Sequence, residues 1–300
     1  MGTSEFAVPA LESVKDSVVL VVTQPDKPSG RGLEAKPSPV KSRAIEMGLL
    51  VESPIKSRTP EFVERVKSLD ADVLLVAAYG QILSKAMLES TRFGGINLHG
   101  SILPKYRGAA PIQRCIENGD AETGVTLMQM DVGMDTGDII TVEKTPIGED
   151  ETAGELFERL AKTAAAMAQH WMPIIVSGSY PRQPQNDAES THAPKVEKHE
   201  AELRVDRSAR QEYNKFRAFT PSPGAFLRTT KGHVKLTQAA LVENFEDSPG
   251  IVRSVKPELV LGFTVGSIAL SEVQPEGKKR MTGAAWANGA RIAVGERLTP

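Results

Sequence analysis

The chain has 300 residues, 40% of them apolar and 25% charged, with a formal net charge of −2 and one cysteine, Cys115. That composition fits a globular protein long enough to bury a sizeable core, and it excludes a disulfide framework and a cysteine-based zinc site. No apolar run approaches the roughly 20 residues that span a bilayer, and no signal-peptide pattern is visible, so a cytoplasmic protein without a membrane partner is expected.

In chain order, "MGTSEFAVPALESV" opens with a glycine turn and a Thr/Ser cap, followed by a helix pattern over Ser4 to Val14. A βα unit looks like this just after its strand, and here no strand precedes it. Either this is a plain N-terminal helix or a first strand is missing. "VVLVVT" (Val18–Thr23) and "DVLLVAA" (Asp72–Ala78) are apolar, β-branched runs of buried-strand length. Between them, "SPVKSRAIEMG" (Ser38–Gly48) and "TPEFVERVKSLD" (Thr59–Asp70) carry helix caps, an early proline and helical spacing. "GVTLMQMD" (Gly124–Asp131) and "DIITVEKTPI" (Asp138–Ile147) predict strands, and Glu151–Val176 predicts a long helix. Alternating strands and helices imply an α/β region with a mostly parallel sheet, whose ligands bind beyond the carboxyl ends of the strands.

"SGSYPRQPQNDAESTHAPK" (Ser177–Lys195) is polar and rich in Pro and Ser, which predicts a linker. Beyond it, one short helix and several short strands separated by Gly and Pro predict a small β-barrel domain. Charge follows the same division. Residues 1–197 hold 20 Lys/Arg against 27 Asp/Glu, whereas residues 198–300 hold 16 against 11. A basic second half suits an anionic partner, although on charge alone an ordinary solvated surface is the readier explanation. Its densest basic cluster is Lys278, Lys279 and Arg280, in a Gly-flanked loop.

The chemistry concentrates in "INLHGSILPKYRGAAPIQ" (Ile96–Gln113), where a strand pattern ends at Asn97 and His99. Downstream, "DVGMDTGD" (Asp131–Asp138) places Asp135 between Gly133 and Gly137, in a loop free to bring a carboxylate back to a strand end. Taken singly, each residue has a plainer explanation as a turn former or a satisfied structural group. Together, a histidine and a carboxylate form a proton-transfer pair, and an asparagine amide donates to a developing oxyanion. No serine or cysteine is placed as a nucleophile, so the nucleophile is expected on the substrate, as in acyl transfer to an amine. His170, His192, His199 and His233 lack metal-ligand spacing, and no metal is expected.

These two stretches resemble the methionyl-tRNA formyltransferases. So do "MGTSEFAVPALE", "VVTQPDKPSGRG", "PSPVK", "VAAYGQILSKAML", "RAFTPSPGAF" and "PEGKKRMTGAAWANGAR", so that the resemblance covers essentially the whole chain. It implies a Rossmann-like formyltransferase domain over 1–177, a linker over 178–197 and an OB-like β-barrel tRNA-binding domain over 198–300. The implied reaction moves the formyl group of 10-formyltetrahydrofolate to the α-amino group of initiator methionyl-tRNA, carried out by a monomer. Asn97, His99 and Asp135 take the catalytic positions, and Ser101, Ile102, Leu103 and Pro104 the folate-contacting segment. Gly30, Arg31 and Gly32 take the place of a loop that engages the tRNA acceptor end. The resemblance also implies a central strand ahead of Met1. A sugar or nucleotide formyltransferase, and a non-catalytic tRNA-binding protein or truncated inactive chain, remain as alternatives.

Overall fold

The computed structural model describes residues 1–29, 34–242 and 248–299. They form two compact units, one comprising Met1–Ala109, Glu122–Thr145 and Phe157–Ala193, the other Ala110–Ala121, Pro146–Leu156 and Pro194–Pro300.

In the first unit, β1 (Val21–Val22) is followed by the short antiparallel pair of β2 (Lys27–Ser29) and β3 (Glu34–Lys36). A helix over Pro39–Glu46 starts where the Ser38 hydroxyl accepts the Lys41 N–H, and leads to β4 (Val51–Glu52), parallel to β1. The helix Pro60–Lys67 is capped in the same way by Thr59 and buries Phe62, Val63 and Val66. Next come β5 (Leu74–Val76), β6 (Gly95–His99), β7 (Arg107–Gly108), β8 (Glu122–Gln129), β9 (Ile139–Pro146) and β10 (His192–Ala193). One sheet has the order β5-β6-β8-β9, with β5 and β6 parallel and β8 antiparallel to β6. All five residues of β6 are buried, so this strand runs through the core. Side chains alternate along a strand, which puts Asn97 and His99 on one face and Ile96 and Leu98 on the other.

The expected strand Val18–Thr23 contracts to Val21–Val22. A ladder extends only as far as its neighbour, and β4 offers two residues. On the other side, β1 and β5 do not pair with each other among the described residues. Met1 and Gly2 sit between them: the Gly2 N–H donates to the Val22 carbonyl at 2.9 Å, and the Ala77 N–H donates to the Met1 carbonyl at 3.0 Å. A cavity of about 600 Å³ borders both strands and is lined by Val21, Val66, Leu69, Leu74 and Met172. The stretch expected as a linker is built into this unit as far as Ala193. Gln183 exchanges backbone hydrogen bonds with Ile139, and β10 pairs in parallel with β7. Its Pro- and Ser-rich composition hides this because the bonds are made by backbone and amide groups rather than by a periodic apolar face.

The second unit is a curled antiparallel half-barrel. Its strands are β11 (Phe226–Thr229), β12 (Gly232–Val242), β13 (Val252–Ser254), β14 (Leu259–Gly262), β15 (Ser267–Pro275) and β16 (Met281–Thr282). The order is β11-β12-β15-β14-β13, with β16 on β15. Register shifts in β12 between Leu236 and Gln238 and between Gln238 and Ala240 supply bulges, which bend a strand and raise its twist. The sheet closes over Leu227, Leu236, Leu261, Phe263, Leu270 and Trp286.

The Met1 amine is buried, donates to the Leu75 carbonyl at 2.6 Å, and has its pKa pushed down to about 5 by desolvation. The unfolded amine titrates at its ordinary value of 8.0, so between those two pH values only the unfolded state holds the proton. Stability therefore rises with pH across that window, by up to ~1.4 kcal/mol per pH unit. Urea unfolding of the 300-residue polypeptide with a free amine should show this slope between pH 5 and 8, and N-terminal acetylation should remove it.

Candidate active site

Asn97 and His99 stand at the carboxyl end of β6, buried, with Asp135 returning to them from the loop between β8 and β9. The His99 Nε2 lies 2.9 Å from the Tyr106 carbonyl. A carbonyl only accepts, so Nε2 carries the proton, and Nδ1 is the ring atom turned to Asp135, 3.6 Å from Oδ2. The Tyr106 carbonyl, rather than Asp135, orients the imidazole. The Asn97 amide donates to Asp135 Oδ1 over a long 3.4 Å.

The shortest bond to the carboxylate comes from a residue that the sequence reasoning missed. The Gly108 N–H donates to Asp135 Oδ2 at 2.9 Å. Gly108 has a φ of 123°, a region L side chains rarely adopt, and a Cβ here would stand 2.8 Å from the Ala193 carbonyl. The glycine therefore lets β7 lie against β10 while its N–H turns toward the carboxylate. The signal was present as the glycine of "KYRGAA", but a lone Gly after a basic residue looks like any turn. Gly137 is required for a related reason, since a Cβ there would collide with the Gln129 carbonyl. The loop's outer bend closes on Asp131 Oδ1, which accepts from the Gly133 N–H at 3.0 Å and the Thr136 hydroxyl at 2.7 Å.

The other expected site residues divide. Ser101 is fully buried and its hydroxyl is used by the Lys105 carbonyl at 2.7 Å, while the Leu103 N–H donates to Thr126 Oγ1 at 3.1 Å. Those two residues shape the turn after β6, and Ile102 and Pro104 are the pair with surface left to offer a ligand. Lys278, Lys279 and Arg280 lie together, exposed, in the turn from β15 to β16, around Gly277 at a φ of 71°. Gly30, Arg31 and Gly32 lie outside the described residues.

Two family patterns match the chain: Formyl transferase over residues 7–172, and Formyl transferase, C-terminal domain, over residues 195–291. A methionyl-tRNA formyltransferase of Symbiobacterium thermophilum is 44% identical, the match covering 100% of this chain and 94% of that protein. The chain belongs to the methionyl-tRNA formyltransferase family. A second member, from Geobacter sulfurreducens, is 39% identical over 99% of this chain and 95% of its own length. Among solved structures, an N-formyltransferase of Helicobacter canadensis in complex with folinic acid and dTDP-3-aminofucose superposes with a TM-score of 0.69. It is 19% identical and the match covers 90% of this chain and 96% of that one, a likeness of fold. In this formyltransferase no described helix is long and apolar enough to cross a membrane.

Gly108→Ala should destabilise the formyltransferase by about 1–3 kcal/mol in urea unfolding, because it forces a strained φ and a backbone clash together. Gly289→Ala is the control: nothing lies within 4 Å of its added Cβ, and its stability should be unchanged or slightly raised.

Proposed function

We propose that the chain transfers the formyl group of 10-formyltetrahydrofolate to the α-amino group of initiator methionyl-tRNA, in the cytoplasm and as a monomer. The observation that carries the chemistry is the convergence of Asn97, His99 and Asp135 at the end of β6, with the carboxylate fixed by the Gly108 N–H. Full-length similarity to methionyl-tRNA formyltransferases supports the acceptor, and the folinic acid held by the structural neighbour supports a folate donor.

In this reading the amine lone pair attacks the formyl carbon and the carbonyl π pair moves onto oxygen. The Asn97 amide donates to that oxygen, as does His99 Nδ1 when the ring is protonated. Preorganised donors of this kind stabilise charge that exists only in the tetrahedral state. Asp135 takes the proton that the attacking nitrogen sheds. Collapse restores the carbonyl, breaks the bond from the formyl carbon to N10 of the folate, and N10 gains a proton, so that protons balance over the turnover. Ile102 and Pro104, with Ser101 and Leu103 shaping their turn, border the folate. The catalytic domain expected over residues 1–177 extends through the site's supporting segment to Ala193, and residues 198–300 bind tRNA through phosphate contacts from Lys278, Lys279 and Arg280.

His99→Ala and Asp135→Ala should each slow single-turnover formylation of initiator methionyl-tRNA by about 10²-fold or more, with tRNA affinity nearly unchanged. Near-normal turnover in either variant contradicts the assignment, and formylation of an amino-sugar nucleotide instead of tRNA contradicts the acceptor. Replacing Lys278, Lys279 and Arg280 together by Ala should weaken tRNA binding. It should also flatten the dependence of log K on log salt by about 0.7–0.9 for each phosphate that is no longer neutralised. An unchanged slope places the tRNA elsewhere on the protein.

A further inference from the structure

Gln185 lies in the stretch whose composition suggests a linker, yet its side-chain amide is bonded on every side. Its Nε2 donates to the Asp135 carbonyl at 2.9 Å and to the Gly137 carbonyl at 2.7 Å. Its Oε1 accepts from Arg107 Nε at 3.1 Å and from Arg107 Nη2 at 2.8 Å. An arginine only donates and a carbonyl only accepts, so this amide has one workable orientation and the fork of Arg107 sets it. Arg107 is itself only 11% exposed and is also tied to Asp187 at 2.8 Å.

Asp135 has a φ of 55°, in the left-handed region that is unfavourable for a non-glycine residue. A surrounding structure must impose such a conformation, and here two contacts with the backbone of the 135–137 turn come from one amide. The arrangement closes on itself. Arg107 and Gly108 are the two residues of β7. Gly108 holds the Asp135 carboxylate directly, and Arg107 holds the Asp135 backbone through Gln185. Both ends of the acidic residue are thereby referred to one short strand, and β7 is in turn paired with β10, downstream on Gln185's own segment.

We infer that Gln185, oriented by Arg107, is a positioning residue for formyl transfer that holds Asp135 in the conformation from which its carboxylate meets the reacting amine. This rests on the reading of Asp135 as the proton acceptor. A side chain that served folding alone would affect stability or substrate binding, and its loss would slow a variant lacking the carboxylate as much as the native protein. A positioning residue acts only where there is a carboxylate to position.

The test is a double-mutant cycle read by single-turnover formylation, with KM for both substrates and the melting temperature measured beside it. Gln185→Ala should slow transfer about 10- to 100-fold while KM for each substrate changes little. Gln185→Glu keeps the oxygen facing Arg107 but turns an acceptor toward two carbonyls, and should be at least as slow. In an Asp135→Ala background, adding Gln185→Ala should slow the residual reaction by less than about twofold. Full activity of Gln185→Ala beside an inactive Asp135→Ala overturns the positioning role and leaves the site reading standing, whereas full activity of Asp135→Ala overturns the site reading itself. An equal loss in both backgrounds, or a raised KM at unchanged rate, also overturns the positioning role. Should Gln185→Ala fail to fold, Arg107→Lys supplies the same cycle: it keeps the charge but loses the fork, and should slow transfer only when Asp135 is present.

Discussion

The structure of the candidate site depends on one hydrogen bond, from the Gly108 N–H to the Asp135 carboxylate. A half-buried carboxylate needs strong donors, and a backbone N–H is the most rigid donor a fold can aim. Aiming this one has consequences through the first unit. Gly108 must adopt a backbone conformation closed to other residues, and β10 must lie against it, close enough that no side chain fits between. The loop carrying Asp135 must turn back over Gly137, where again no Cβ fits. Much of the irregular backbone near the end of β6 follows from presenting one carboxylate to an amide and an imidazole.

His99 shows the same economy of parts. Its ring is fixed by the Tyr106 carbonyl, which leaves Nδ1 facing the carboxylate across a distance too long for a good hydrogen bond. Asn97 likewise reaches Asp135 only weakly. The three groups are gathered without being spent on one another, and spent groups have nothing left for a substrate. Tyr106 meets this requirement at a φ of 62°, a second site residue, after Asp135, held in the left-handed region.

The elements with a strong period were legible from residues alone. The helix Pro60–Lys67 was visible in its Thr59 cap and its buried Phe62, Val63 and Val66, and the β6 run ending in Asn97 and His99 marked the site. Asp135 was visible only through its flanking glycines and the family resemblance. What stayed hidden has a common physical character. β1 looks like six residues of strand and forms two, because ladder length is set by its neighbours and not by its own side chains. Residues 178–193 look like a linker, because a Gln amide and a run of backbone hydrogen bonds leave no periodic trace. Gly108 and Arg107 were hidden for the same reason, since their roles exist only once β10 is beside them.

In the proposed reaction the two units divide the work. The first gathers Asn97, His99 and Asp135, while the second offers exposed cations at a glycine turn of a curled sheet that closes over an apolar cluster. In the proposed reaction, formyl transfer takes place where β6 ends, against a carboxylate held by β7. The most direct measurement is a crystal structure of the chain bound to a stable analogue of 10-formyltetrahydrofolate. The formyl oxygen should lie within about 3.2 Å of Asn97 Nδ2, facing His99 Nδ1, with Asp135 still bonded to the Gly108 N–H. A formyl group lodged away from Asn97 and His99, or an Asp135 carboxylate turned off Gly108 in the complex, would contradict it.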